Sequence, residues 1–140
     1  MGFKVDLTGV ELKSFDPVPE GRYLAKVSDL QYTEKSKASG KPKCQFVFDI
    51  LEGIDDNTRG LIDVKGRKAF YEISLQDQSK WNLVRTLVAL GDTEEDLDGE
   101  MDLEKEDYIG RECVLLMGIR MHDDIERQET RRVEPVKIAA

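Results

Sequence analysis

The hydrophobic period of the sequence changes within residues 69–90, which are AFYEISLQDQSKWNLVRTLVAL. Every second residue from Ala69 to Leu75 is apolar, which is typical of a half-buried strand. From Asp77 to Leu90 the apolar residues instead recur at helical spacing, and Gly91 follows at a position suited to ending a helix. This stretch therefore predicts a strand followed by a helix.

Two further strands are predicted upstream of this stretch. The second strand is predicted at Cys44 to Leu51, where apolar and polar residues alternate. A turn-rich segment follows, and we place the start of the third strand at Leu61. The first strand begins after Gly21, and its apolar alternation changes phase near Ser28-Asp29, which favours a β-bulge there. Residues 1–21 end in two prolines and are expected to form an N-terminal arm.

Two strands follow the predicted helix. Residues 113–122 alternate over their whole length, and a turn at residues 122–124 leads to a last strand at about 126–133. Three strands, one helix and two strands is the element order of an OB-fold barrel. We therefore expect a mainly β protein: one domain over residues 1–140, a five-stranded OB-fold barrel with one α-helix between strands 3 and 4.

The charge of the chain is unevenly distributed. The net charge is −8, but residues 91–107 alone carry ten acidic residues and one lysine, so the remainder sums to +1. Residues 22–43 carry a local charge of +4 and residues 59–68 one of +3. A partner that touches one face responds mainly to the nearby charges. A basic face is therefore compatible with an acidic protein, and the alternative is that these charges only solvate the surface.

Several function classes find no support in the sequence. Cys44 and Cys113 are too few and too widely separated for a metal cluster, and they are interpreted as small buried hydrophobes in a reducing compartment. His122 has no second histidine to act with, so a catalytic triad is not expected. The acidic segment begins like an EF-hand loop but has Lys105 where the bidentate glutamate belongs. We expect neither an enzyme nor a metal or other cofactor, and no membrane-spanning segment.

Aromatic and basic residues interleaved along strands are the remaining signal, and they favour single-stranded nucleic acid, whose phosphates bind cations and whose bases stack on exposed rings. Phe70 lies on the strand face opposite Tyr71 and could be such a ring, or it could pack under the arm. Tyr32 could stack a base or close the end of the barrel. Trp81, together with Phe46, Phe48 and Tyr71, is expected in the core. The candidate binding residues are Tyr32, Lys35, Lys37, Lys41, Lys43, Lys68, Phe70, Arg120, Arg127, Arg131 and Arg132.

Short segments over most of the chain carry a family resemblance through their order and spacing. They are Asp6–Val10, Pro19–Tyr23, Ser39–Lys43, Phe48–Gly53, Gly66–Lys68 leading to Ser74–Leu75, Trp81 with Leu87–Gly91, and Tyr108–Glu112. In these segments the chain resembles a family of small phage-encoded proteins, long catalogued as a domain of unknown function, that are similar to OB-fold single-stranded DNA-binding proteins.

The resemblance implies a protein that coats and protects single-stranded DNA during phage replication or recombination, in the cytoplasm of an infected bacterial host. It also implies phage or host replication and recombination proteins as partners. Many single-strand-binding proteins recruit partners through an acidic terminal tail, whereas here the acidic residues form an internal loop at residues 92–107.

An alternative hypothesis is that the protein is an OB-fold protein-interaction module. It would then be a phage accessory factor that docks onto a partner through this acidic segment. The sequence leaves self-association open, because barrel edges and the arm offer surfaces for pairing.

Overall fold

The computed structural model describes residues 2–8, 17–34, 40–97, 99 and 101–136. Its five strands are β1 (Gly21–Thr33), β2 (Lys43–Gly53), β3 (Lys68–Ser74), β4 (Glu112–His122) and β5 (Ile125–Glu134). Helix α1 (Lys80–Ala89) follows a 3₁₀ turn at Asp77–Ser79, and the short helix α2 (Lys105–Tyr108) precedes β4. The protein is mainly β, and the prediction of a helix between the third and fourth strands is confirmed.

All five strands belong to one antiparallel sheet with the order β3-β2-β1-β4-β5. The sheet is open, since no backbone ladder joins β3 to β5 within the described residues. The two edge strands nevertheless lie in contact. The sheet therefore curls until its edges meet without pairing through the backbone.

One face of the curled sheet encloses the hydrophobic core. Alternate residues from each strand point inward and are almost completely buried, including Tyr23, Phe46, Phe48, Ile73 and Leu115. The phase change predicted near Ser28 is confirmed, because the β1–β2 register slips between Val27 and Asp29. This bulge changes which residues of β1 share a face on either side of it.

The third strand begins later than the sequence pattern predicts. Residues 61–67 form turns rather than strand, so the expectation that the strand starts at Leu61 is wrong. Gly60 and Gly66 have φ angles of +85° and +82°, which bend the chain at both ends of this segment. Between them, Val64 is buried and continues the apolar pattern without strand geometry.

Helix α1 packs against the core along one side. Thr86, Leu87 and Ala89 are buried, Leu83 of the first turn is partly buried against the core, and Asn82 is hydrogen-bonded to Tyr71 of β3. The expectation that Trp81 belongs to the core is therefore wrong: 63% of this residue is exposed. Helical spacing correctly predicted the helix, but it could not show which side faces the sheet: Leu83 and Leu87 contact the core, whereas Trp81 lies on the other side of the helix.

Both cysteines are free and buried, and burial raises the pKa of Cys44 to about 11 and that of Cys113 to about 12. At neutral pH the thiols stay protonated and therefore weakly nucleophilic. In the described residues, no helix combines the length and apolar character needed to cross a bilayer.

Candidate nucleic-acid interface

Phe70 occupies the outer face of β3, away from the core. Its neighbour across the ladder is Val47 of β2, and the adjacent pair on the same face is Lys68 with Asp49. Phe70 is 52% exposed, whereas Val47 is buried. Cross-strand neighbours on one face contact each other, so the Phe70 ring covers Val47 and still presents a large part of its surface to solvent.

Ion pairs flank the exposed ring on both sides. Lys68 pairs with Asp49, and Lys43 Nζ lies 2.8 Å from Glu72 Oε1. Exposed pairs of this kind contribute only about 0–1 kcal/mol to stability, because water competes for both charges. Each lysine can therefore exchange its carboxylate for a phosphate at small cost.

The β4–β5 hairpin carries two arginines directly opposite each other. Arg120 pairs with Arg127 in the ladder, and both side chains are exposed. Neither arginine forms an ion pair within the part of the chain that the structure describes. Like charges directly opposite each other destabilise a sheet, so an anion bound between the two guanidinium groups would relieve their repulsion.

The hairpin turn brings these arginines close to one end of β3. Asp123 and Asp124 have φ angles of +52° and +64°, the left-handed geometry of a two-residue hairpin turn. Gln128, adjacent to Arg127, donates a hydrogen bond from Nε2 to the Lys68 carbonyl at 2.8 Å. The arginine pair therefore lies near the Lys68 end of the outer face of β3.

The chain between β1 and β2 lies at the opposite end of β3, because Lys43 pairs with Ser74. Lys41, two residues before β2, is exposed. Lys35 and Lys37, predicted to contact phosphates, fall outside the described residues. The outer face of β3 thus has predicted cationic residues at both ends and Phe70 between them.

Arg131 and Arg132 are engaged with carboxylates. Arg131 lies 3.2 Å from Glu20 and 3.4 Å from Glu129, and its guanidinium occupies the space above Gly118. Arg132 lies 3.9 Å from Glu134, whose shorter contact, at 2.8 Å, is with Arg22. Arg131 therefore has a local packing role, and the charge of Arg132 is only loosely compensated.

Tyr32 lies on the other face of the sheet from Phe70. Its partner in the ladder is Cys44, a residue that points into the core. Tyr32 is nevertheless 66% exposed, because it stands at the end of β1 beside a cavity of about 260 Å³ that Leu30 and Leu103 also line. The structure does not bring the two predicted stacking rings together.

A cluster on α1 was missed by the sequence reasoning. The Arg85 guanidinium lies 5.0 Å from the centre of the Trp81 ring. Asn82 Oδ1 accepts a hydrogen bond from Arg85 Nη2 at 2.9 Å, and Asn82 Nδ2 donates one to Tyr71 Oη at 3.0 Å. The spacing of Trp81 and Arg85, four residues apart on a helix, was the signal that could have revealed it.

The acidic segment is tied to the rest of the fold by the partly buried carboxylate of Asp92. Asp92 accepts hydrogen bonds from Arg111 Nη1 at 2.8 Å and from Tyr108 Oη at 2.7 Å. Burial raises the pKa of Asp92, but these hydrogen bonds outweigh it and hold the pKa below its usual value. Burial, together with Asp92, raises the pKa of Tyr108.

Beyond this anchor, the acidic segment borders an apolar groove. A cavity of about 780 Å³ lies between α1 and the segment, with Leu83, Leu87 and Leu97 in its wall and Met101 and Asp102 at its edge. Among the described residues, no group of three or more histidine, cysteine or carboxylate side chains is arranged to hold a metal ion. The structure thus offers two distinct surfaces, an outer sheet face with cations and an apolar groove that has Lys80 and Asp102 among its lining residues.

Comparison with known proteins identifies one family model, described as "Protein of unknown function (DUF669)", which matches residues 3–129. No curated protein matches the chain.

Proposed function

The chain belongs to the DUF669 family of proteins of unknown function, and we propose that it is a sequence-independent single-stranded DNA-binding protein of phage replication or recombination. The supporting observation is the exposed Phe70 ring on the outer face of β3, with the Arg120–Arg127 pair near one end of that strand. The binding is non-enzymatic: the protein coats and protects the strand, and its ligand is the strand itself.

The proposed fold is an OB-fold barrel. Support comes from the strand order, from the helix between β3 and β4, and from the return of β5 alongside β3. In OB folds, the central strands and the loops flanking them bind oligonucleotides. The outer face of β2 and β3, with Phe70 at its centre, corresponds to that surface.

The chemistry of this surface favours a flexible single strand. A base stacked on Phe70 contributes about 1–3 kcal/mol, and because every base has a flat face the contact does not select a sequence. Phosphates on one side of the stacked base meet Lys68 and the hairpin arginines, and those on the other side meet Lys43 and Lys41. Duplex DNA hides its bases in the stack and cannot use the aromatic contact.

Charge reversal on the hairpin tests this proposal. We expect Arg127→Glu to weaken binding of a fluorescein-labelled dT oligomer of about 16 nucleotides, the upper site size of one OB fold. The double variant that carries both Arg120→Glu and Arg127→Glu should weaken oligonucleotide binding further. Fluorescence anisotropy at about 100 mM salt, where the Debye length is about 10 Å, measures both effects.

The matched control is Lys105→Glu, an equal charge change on the acidic segment. It should leave the affinity within about two-fold, because a charge beyond a Debye length is largely screened. If Lys105→Glu and Arg127→Glu weaken binding equally, the strand responds to net charge alone and the proposed surface is wrong.

A second candidate function is protein docking, which the apolar groove beside the acidic segment favours. The apolar lining and the negative charge of the neighbouring segment, residues 92–107, suit a basic amphipathic segment of a phage or host replication protein. Asp102→Lys with Val84→Lys should abolish capture of such a partner while leaving oligonucleotide binding intact. The hairpin variants should have the opposite effect, so the two functions are separable by mutation.

A further inference from the structure

Trp81 is the single tryptophan of the chain, and its exposure has no explanation in the packing of the core. It lies in the first turn of α1, on a side of the helix distinct from the groove-lining residues Leu83 and Leu87. Tryptophan is enriched at binding interfaces, because its ring offers a large apolar area together with a polar N–H.

Arg85 is held beside this ring in a fixed orientation. Its guanidinium lies over the Trp81 ring while Nη2 is fixed by Asn82, which is itself fixed by Tyr71 of β3. Arg85 forms no ion pair with a described carboxylate. The result is a pre-oriented ring and cation, the combination that binds a base and its phosphate.

A shallow cavity of about 370 Å³ extends from this cluster towards β5. Its wall includes Arg85 and Val88 of α1 together with Arg132 and Pro135 at the end of β5. Arg132 is only loosely paired, at 3.9 Å from Glu134. No carboxylate is among the described residues of the wall, so the cavity presents two cations and apolar surface.

We propose that Trp81, Arg85 and Arg132 form a second nucleotide-binding site, which takes one base and its phosphate from the same DNA strand that crosses Phe70. This inference rests on the proposed function and extends it. Strand β5 connects the two sites, since Arg127 lies near the Lys68 end of β3 and Arg132 lies at the cavity beside α1. The DNA follows the seam between β3 and β5.

The fluorescence of Trp81 tests this site directly, because no other tryptophan contributes to it. The wild-type protein is titrated with dT oligomers of about 4 and about 16 nucleotides, the range of OB-fold site sizes, and the anisotropy of labelled copies is followed in parallel. We expect the longer oligomer to quench Trp81 in step with the anisotropy change. Free dTMP, included to separate a strand from a mononucleotide, should quench only at far higher concentration.

Variants confirm which side chains act. Trp81→Ala should weaken binding of the longer oligomer about five-fold or more, as expected for loss of one stacked base, and Trp81→Phe should retain most of the affinity. Arg85→Gln and Arg132→Gln should each weaken it and lower its salt dependence. The control is Ile62→Ala, which removes an even more exposed hydrophobic side chain outside the site and should leave binding unchanged.

Two results would overturn the proposal, and they differ from each other. If anisotropy reports binding of the longer oligomer while Trp81 emission and the affinity of Trp81→Ala stay unchanged, the second site is wrong and the Phe70 surface stands. If anisotropy reports no binding to any oligomer, the proposed function fails and the second site fails with it.

Discussion

Gln128 of β5 donates a hydrogen bond from Nε2 to the carbonyl of Lys68 in β3, at 2.8 Å. Its Oε1 accepts another from the Val18 backbone at 3.2 Å. A single side chain therefore links the two edges of the open sheet to the segment that precedes β1. This link also sets the hairpin arginines beside the exposed face of β3.

Replacing this side chain should destabilise the protein. Gln128→Met keeps the length of the side chain but removes both hydrogen bonds, leaving a half-buried backbone N–H without its partner. We expect the free energy of unfolding to fall by about 1–3 kcal/mol, measured by urea denaturation. Gln78→Met, which loses only an exposed contact with Gln76, should change it by less than about 0.5 kcal/mol. Equal effects of the two variants would show that Gln128 does not join the edges.

The Asp92 cluster predicts how stability depends on pH. The folded pKa of Asp92 lies below the ordinary value of an aspartate, about 3.9, so its ionised form stabilises the fold above that pH. This contribution is lost as the pH falls from about 4 through the folded pKa. Asp92→Asn should be less stable than the wild type at pH 7, and the difference should shrink as the medium is acidified.

Thermal unfolding of both proteins at several pH values measures this difference. Asp77→Asn is the comparison, because Asp77 forms only an exposed pair with Lys80. A gap between wild type and Asp92→Asn that stayed constant down to pH 3 would contradict the assigned role of Asp92.

Two glycines predict graded effects of adding a methyl group. A β-carbon at Gly53 would overlap the backbone of Thr58, whereas one at Gly118 would overlap the guanidinium of Arg131. A guanidinium can move but a backbone in a tight turn cannot. Gly118→Ala should therefore lower the free energy of unfolding by about 1–3 kcal/mol, and Gly53→Ala should lower it more. Gly2 has open space around it, so Gly2→Ala should cause no measurable change. Urea denaturation ranks the three, and the reverse order for Gly53 and Gly118 would count against this packing.

The two faces of the sheet should respond differently to loss of an aromatic ring. Phe46→Ala removes a fully buried side chain and should destabilise the fold by about 3–5 kcal/mol. Phe70→Ala should change stability far less, because the ring is half exposed, yet it should weaken oligonucleotide binding about five-fold or more. Unfolding and anisotropy measurements on the same samples separate these effects. Unaltered DNA binding by a folded Phe70→Ala protein would remove Phe70 from the interface.

Local patterns in the sequence were sufficient to predict most of the fold. The strands, the helix and the bulge near Ser28 all follow from periodicities that a few neighbouring residues define. The late start of β3 was not predictable in this way, because Val64 is buried in a turn and keeps the apolar pattern of a strand. The exposure of Trp81 depends on where α1 meets the sheet, which is a property of distant contacts.

The candidate site was predictable only in part. The opposition of Arg120 and Arg127 follows from a two-residue turn, and the outward phase of Phe70 follows from alternation alone. Predicting that Tyr32 and Phe70 lie on different faces requires knowledge of the β1–β2 register beyond the bulge. That register pairs Tyr32 with the inward-facing Cys44. Ion pairs that join distant segments, such as that between Arg131 and Glu20, leave no local pattern.

The salt dependence of oligonucleotide binding tests the central claim most directly. The Kd of wild-type protein for a dT oligomer is measured by anisotropy between about 50 mM and about 200 mM salt. If Lys68, Arg120 and Arg127 contact three phosphates, the logarithm of the association constant should fall with the logarithm of the salt concentration, with a slope of about −2 or steeper. A mixed-base oligomer should show the same affinity and the same slope. Absence of binding at micromolar protein in the lowest salt, or an affinity that does not change with salt, would contradict the account.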